Sequence, residues 1–191
     1  MFQLDSTGFL ALIACAMCWS LAVVLYRVGS AGSVARVLAL LLFVEGLTMV
    51  STGYLDLFMT ETTRALPWYP AWLQIETVVH TFGDCAMVAL YPPFLAVALQ
   101  TKLTQPFGRM RARIALWVVS AALFFAVLLG PIEFGGVLLY LLTCLVFGFA
   151  LVASIQAWYM ATGEARTRAR AFTLSFGFRD LCWGKIGRAH V

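Results

Sequence analysis

Charge is what this chain has least of. Asp, Glu, Lys and Arg make up 12% of its 191 residues, where a soluble domain carries about a quarter. With 62% hydrophobic residues and a mean hydropathy of +0.91, too few ionised side chains exist to coat a water-exposed globule. The net charge of +4 sits in short clusters between apolar runs, which argues against a nucleic-acid partner. The short signatures of catalysis are missing too: there is no phosphate-binding loop, no nucleophile elbow and no His-Glu-x-x-His helix. No internal repeat is evident, which weighs against transporters built from duplicated halves. Cys15, Cys18, Cys85, Cys144 and Cys182 all fall inside apolar runs and read as small buried hydrophobes rather than a disulfide framework. Cys15 and Cys18, three apart on one helix face, are a weak ligand signal. A cleavable leader is not expected, because Met1 to Gly8 carries Asp5 and no basic residue. The apolar run that follows is too long for a signal-peptide core, so the first span should remain in the mature protein.

What the chain has in abundance is uninterrupted apolar sequence. A helix needs about twenty such residues to cross hydrocarbon, and six runs approach or reach that length. They cover about residues 6–26, 37–55, 71–100, 114–130, 135–160 and 171–185. Gly29, Ser30, Gly32 and Ser33 form the first link, and the turn Gly130-Pro131-Ile132-Glu133 forms the fourth. Trp68, Tyr69 and Trp72, at the start of the third run, have the character of an interfacial aromatic belt. Pro92 and Pro93 fall about twenty residues into that run and are expected to kink or end its helix. The fold class expected is an all-α polytopic transmembrane bundle in a single domain. Six spans are present with the sixth truncated, and seven are expected in the full protein.

The basic residues alternate between links. Arg27, Arg36, Lys102, Arg109, Arg111, Arg113, Arg166, Arg168 and Arg170 lie in links one, three and five, while the other side holds Arg64 alone beside Asp5, Asp56, Glu61 and Glu133. Cytoplasmic loops carry the excess of Lys and Arg, which places the odd links inside the cell and the N-terminus outside. The expected location is the inner (plasma) membrane. Arg109, Arg111, Arg113, Arg166, Arg168 and Arg170 are then expected to set topology and to meet anionic lipid headgroups. A homodimer is a further partner this reading admits.

Within the third run, Glu76, His80 and Asp84 recur every fourth residue, so a helix stacks them along one face in successive turns. Ionisable groups at membrane depth are costly, face a bundle interior or cavity, and mark functional sites by default. They can relay protons, since imidazole changes charge near physiological pH. They can line a ligand pocket near the outer leaflet, or they can hold helices together by hydrogen bonds alone. His80 and Asp84 are also of the right type for a divalent metal. The outer pair of the three stand roughly 12 Å apart along the axis, so at most two neighbours can share one ion.

Glu45 lies in the middle of the second run, with His80 or Arg179 as expected partners. An unpaired buried glutamate would instead keep its proton and donate a hydrogen bond. Arg179 and Asp180 are adjacent in the sixth run and point about 100° apart on a helix. Arg179 is therefore expected to meet Asp84 or Glu45, as a packing tie able to act as a switch. Gly135 and Gly136 read as a helix start.

Several stretches carry family resemblances. The first span ends Val-Leu-Tyr-Arg, and VARVLALLLFVEG opens the second. YPPFLAVALQ closes the third, and WYMATGEARTRARAF runs from the fifth into the sixth. This layout resembles the seven-helix N-terminal sensor regions of prokaryotic histidine kinases and diguanylate cyclases. It implies an outside N-terminus and a cytoplasmic signalling domain after helix seven. His80 and Asp84 are similar in type to the intramembrane zinc ligands of seven-helix hydrolases of the ceramidase and progestin-receptor kind. A small transporter or proton-coupled carrier using the Glu76–Asp84 face is a third reading, and CWSLAVVLYR in the first span resembles drug/metabolite transporters. Ile186 to Val191 resembles one reading frame of a widely used sequencing adapter, and the natural sequence is expected to stop near Trp183 to Lys185.

Overall fold

A segment with no water to bond its backbone must satisfy every N–H and C=O internally, and helix is the local solution. The computed structural model describes residues 6–30, 33–58, 65–130, 132–167 and 169–174, and among these there is no strand. Helix α1 is Ser6–Val28, α2 is Val34–Phe58 and α3 is Tyr69–Leu99; a short 3-10 turn at Gln105–Gly108 leads to α4, Met110–Leu129, and α5, Ile132–Met160. A last helical stretch, α6, covers 163–167 and 169–174. Among the described residues four stretches are long and apolar enough to cross a membrane: Phe9–Val28, Tyr69–Leu99, Met110–Leu129 and Phe134–Met160. This is a membrane protein built of helices.

The bundle is arranged around α3. In its most apolar window 67% of residues are buried, against 11% in α1, 11% in α4 and 22% in α5. Helices α2, α4 and α5 all pack on it, while α1 packs on α2. The main core joins Leu41 and Val44 of α2, six α3 residues from Ala86 to Leu95, and Ala150 of α5. Tyr91 meets the Phe147 ring edge-on at 5.7 Å, and Phe94 meets Phe172 of α6 at 5.7 Å. A second cluster, Cys85, Leu123 and Leu139, ties α3 to α4 and α5.

Small residues set the closest approaches, as is usual where lipid supplies no hydrophobic drive between helices. A β-carbon on Gly83 would run into the Thr48 methyl of α2. One on Gly135 would come within 2.7 Å of the Val127 backbone, so the turn into α5 needs glycine there. The α1–α2 link is fastened by Arg36, whose Nε donates to the Gly29 carbonyl at 2.8 Å while its guanidinium lies 5.0 Å from the Tyr26 ring centre.

Three expectations are corrected. Of the two outcomes expected at the proline pair, ending the third helix is overturned: α3 runs through Pro92 and Pro93 to Leu99, and closes at Gln100 in the left-handed conformation (φ 51°, ψ 35°). Proline's fixed φ is helical, so what it costs is hydrogen bonds and carbonyl space. The burial of Tyr91, Phe94 and Leu95 to 2% exposure or less holds the turn closed. Gly135 and Gly136 lie inside α5, which begins at Ile132. Helices also outrun their apolar runs: α4 begins at Met110 and so includes Arg111 and Arg113, and α6 begins at residue 163, well before Ala171.

Candidate functional site

Helix α3 fixes the register of Glu76, His80 and Asp84, and the expected stacking is present. The imidazole stands between the two carboxylates, with Nδ1 3.9 Å from Glu76 Oε1 and Nε2 3.7 Å from Asp84 Oδ2. These are ion-pair separations rather than hydrogen bonds. Nδ1 itself is buried and makes no hydrogen bond among the described residues. The carboxylates are turned inward, with Glu76 and Asp84 side chains 16% and 25% exposed, while the His80 side chain is 42% exposed. The imidazole is thus the most open member of the row.

The second helix adds a third carboxylate. Gly83 lets α2 come close enough for Thr48 and the Val44 carbonyl to border α3. Thr48 turns its hydroxyl onto the Glu45 carbonyl at 2.8 Å. Glu45 is one turn from Thr48 and Asp84 is next to Gly83, so the two carboxylates stand on facing turns of α2 and α3, a juxtaposition the sequence reading did not name. Two nearby carboxylates repel, and a positive charge or a shared proton relieves them. An imidazole beside them is able to supply it.

Arg179, Asp180, Cys182 and residues 186–191 lie outside the described residues, as does Arg168. Of the other arginines expected at anionic lipid, Arg109, Arg111 and Arg166 are exposed. Arg113 is half-buried, with its Nε unbonded among the described residues. Arg170 rests over the Trp158 ring at 5.7 Å, so its charge is held at the end of α5.

Among the described residues, no group of three His, Cys, Asp or Glu side chains could hold a metal ion. His80 and Asp84 are of suitable type, but Glu76 approaches the opposite ring nitrogen of His80, so the three do not converge on one ion. Cys15 and Cys18 have the Cys-x-x-Cys spacing; neither is in a disulfide, and among the described residues they belong to no group of three such donors. Ser120 went unnoticed in the sequence. It is 2% exposed, and its hydroxyl has no hydrogen-bond partner among the described residues. The one signal that could have found it is that it is the lone hydroxyl in the charge-free run from Ile114 to Gly130.

Comparison of the chain with protein families, with curated proteins and with solved structures returned no match.

Proposed function

We propose that this chain is a sensory module embedded in the inner membrane, whose detecting element is the row Glu76, His80 and Asp84 with Glu45 beside it. The observation that carries this reading is the imidazole of His80 held between two carboxylates, 3.9 and 3.7 Å away, on the central helix. A change of proton or polar ligand along that row alters the charge between α2 and α3, and packing then adjusts at Gly83 and Thr48. In this reading α1 to α5 and the helix begun by α6 are six passes of a seven-pass bundle. The N-terminus is outside, and the arginine-bearing links lie in the cytoplasm, where an output domain receives the signal. Arg109, Arg111 and Arg166 meet anionic headgroups there, and signalling is by a homodimer.

A proton-coupled carrier is the second reading, favoured by the same row because its members occupy successive turns. The metal-dependent hydrolase has less support, since His80 and Asp84 supply two donors where a catalytic zinc takes three protein ligands.

The test is infrared difference spectroscopy on the bilayer-reconstituted chain during acidification from pH 8 to pH 5. Sensing through the row predicts a carboxylic C=O band that Asp84→Asn removes and His80→Gln shifts. No such band across the titration, or one that both substitutions leave unchanged, would reduce the row to packing.

A further inference from the structure

The i, i+4 row that carries Glu76, His80 and Asp84 continues along α3 to Val88 and Pro92. Proline has no N–H, so Pro92 leaves the Val88 carbonyl without its helical donor, and Pro93 does the same to the Ala89 carbonyl. One turn beyond the last carboxylate the row therefore ends in two backbone acceptors. Val88 is 2% exposed and Ala89 1%.

Helix α4 brings a matching donor to that level. Cys85, Leu123 and Leu139 meet in one buried cluster. Helix α4 runs antiparallel to α3, with Phe82 against Phe124 at 6.2 Å. Helix α5 runs parallel to α3, with Tyr91 against Phe147 further along. One turn from the cluster thus leads to Val88 and Ala89 on α3, back to Ser120 on α4 and forward to Thr143 on α5. Ser120 is 2% exposed with its hydroxyl unbonded among the described residues, and Thr143 is 3% exposed with its hydroxyl donated to the Leu139 carbonyl at 2.9 Å. Ser120 lies on the same face of α4 as Leu123, the face turned to α3.

We infer that this three-helix node binds one ordered water molecule. The hydrogen bonds balance: the water donates to the Val88 and Ala89 carbonyls and accepts from the Ser120 hydroxyl, while Thr143 Oγ1 keeps lone pairs free at the same level. Two acceptors and one donor, each orphaned by its own helix, need the complement that one water offers. Orphaned groups of this kind are costly in a bundle interior, and freed carbonyls in membrane helices are re-satisfied by hydroxyls and ordered waters. The water extends the polar row by one turn past Asp84 toward the α3–α4 link. That continuity rests on the sensory reading above; the water site itself does not.

Water-edited solid-state NMR on the full chain in bilayers, with water as the probe, tests the site. The expected result is magnetisation transfer from water to the Ser120 β-carbon and the Val88 carbonyl, with none to Leu123 or Leu95. Pro92→Ala restores an N–H to the Val88 carbonyl and should abolish the transfer there, and Ser120→Val should do the same without touching the backbone. No transfer in the unsubstituted protein overturns the site, and so does transfer that persists in Ser120→Val. The Ser120→Val arm decides the matter if Pro92→Ala does not fold. A water signal without any carboxyl band in the acid titration would leave the node standing while sinking the sensory reading.

Discussion

Gly83 of α3 lies so close to Thr48 of α2 that a β-carbon at position 83 would collide with the threonine methyl. The contact sits beside Asp84, so the packing of α2 and the electrostatics of the row share one turn of helix. Gly83→Leu forces the helices apart, and overpacking of this kind costs about 1–3 kcal/mol. Thermal unfolding in detergent micelles should show a lowered midpoint. Gly148→Ala is the control, because nothing lies within 4 Å of a β-carbon there. Its expected effect is neutral or stabilising, by up to about 1 kcal/mol from helix propensity.

His80 faces Glu76 and Asp84 at ion-pair distance with a partly open side chain. A double-substitution cycle of His80→Gln with Asp84→Asn should give a coupling on the order of 0.3–1 kcal/mol. The coupling should shrink as salt is raised. Thermal midpoints of the four proteins at low and high salt measure it, and simple additivity at low salt would show that the two side chains do not interact.

Orientation is tested by reporter fusions. A fusion at Gly108, in the link rich in Lys and Arg, should carry an active cytoplasmic reporter, and one at Thr60 an active periplasmic reporter. A periplasmic reporter active at Gly108 reverses the topology.

Arg36 grips the end of α1 twice, through the Gly29 carbonyl and through the Tyr26 ring. Arg36→Lys keeps the charge and loses the planar fork. It should lower stability by about 1 kcal/mol, the size of one net hydrogen bond. Tyr26→Leu removes the ring contact alone and should cost less, about 0.5–1 kcal/mol. Chemical unfolding in mixed micelles ranks the two, and equal losses would mean that the carbonyl contact contributes nothing.

Much of the helical plan was legible because apolar run length is a local property. The third run, read as 71–100, is the helix Tyr69–Leu99, and the fifth, read as 135–160, is Ile132–Met160. The errors at Met110 and at residue 163 have one cause: a helix continues past the point where its side chains stop being apolar. Arg111, Arg113 and Arg166 are good helix formers and carry α4 and α6 beyond the apolar stretch. The spacing of Glu76, His80 and Asp84 was readable for the same local reason. The approach of Glu45 to Asp84 was not, since it depends on how closely Gly83 lets α2 lie against α3. Nor was Ser120, buried and unbonded among the described residues, because burial of one helix face is set by its neighbours.

Among the described residues the first helix makes its substantial packing with α2 alone. Stacking of Trp19 on Phe43 at 6.1 Å, and the indole N–H donated to the Phe43 carbonyl at 3.1 Å, hold the two together. The α1–α2 pair is thus held by contacts independent of α3. Damage to α1 should therefore loosen α2 first and leave the packing of α3 against α4 and α5 intact.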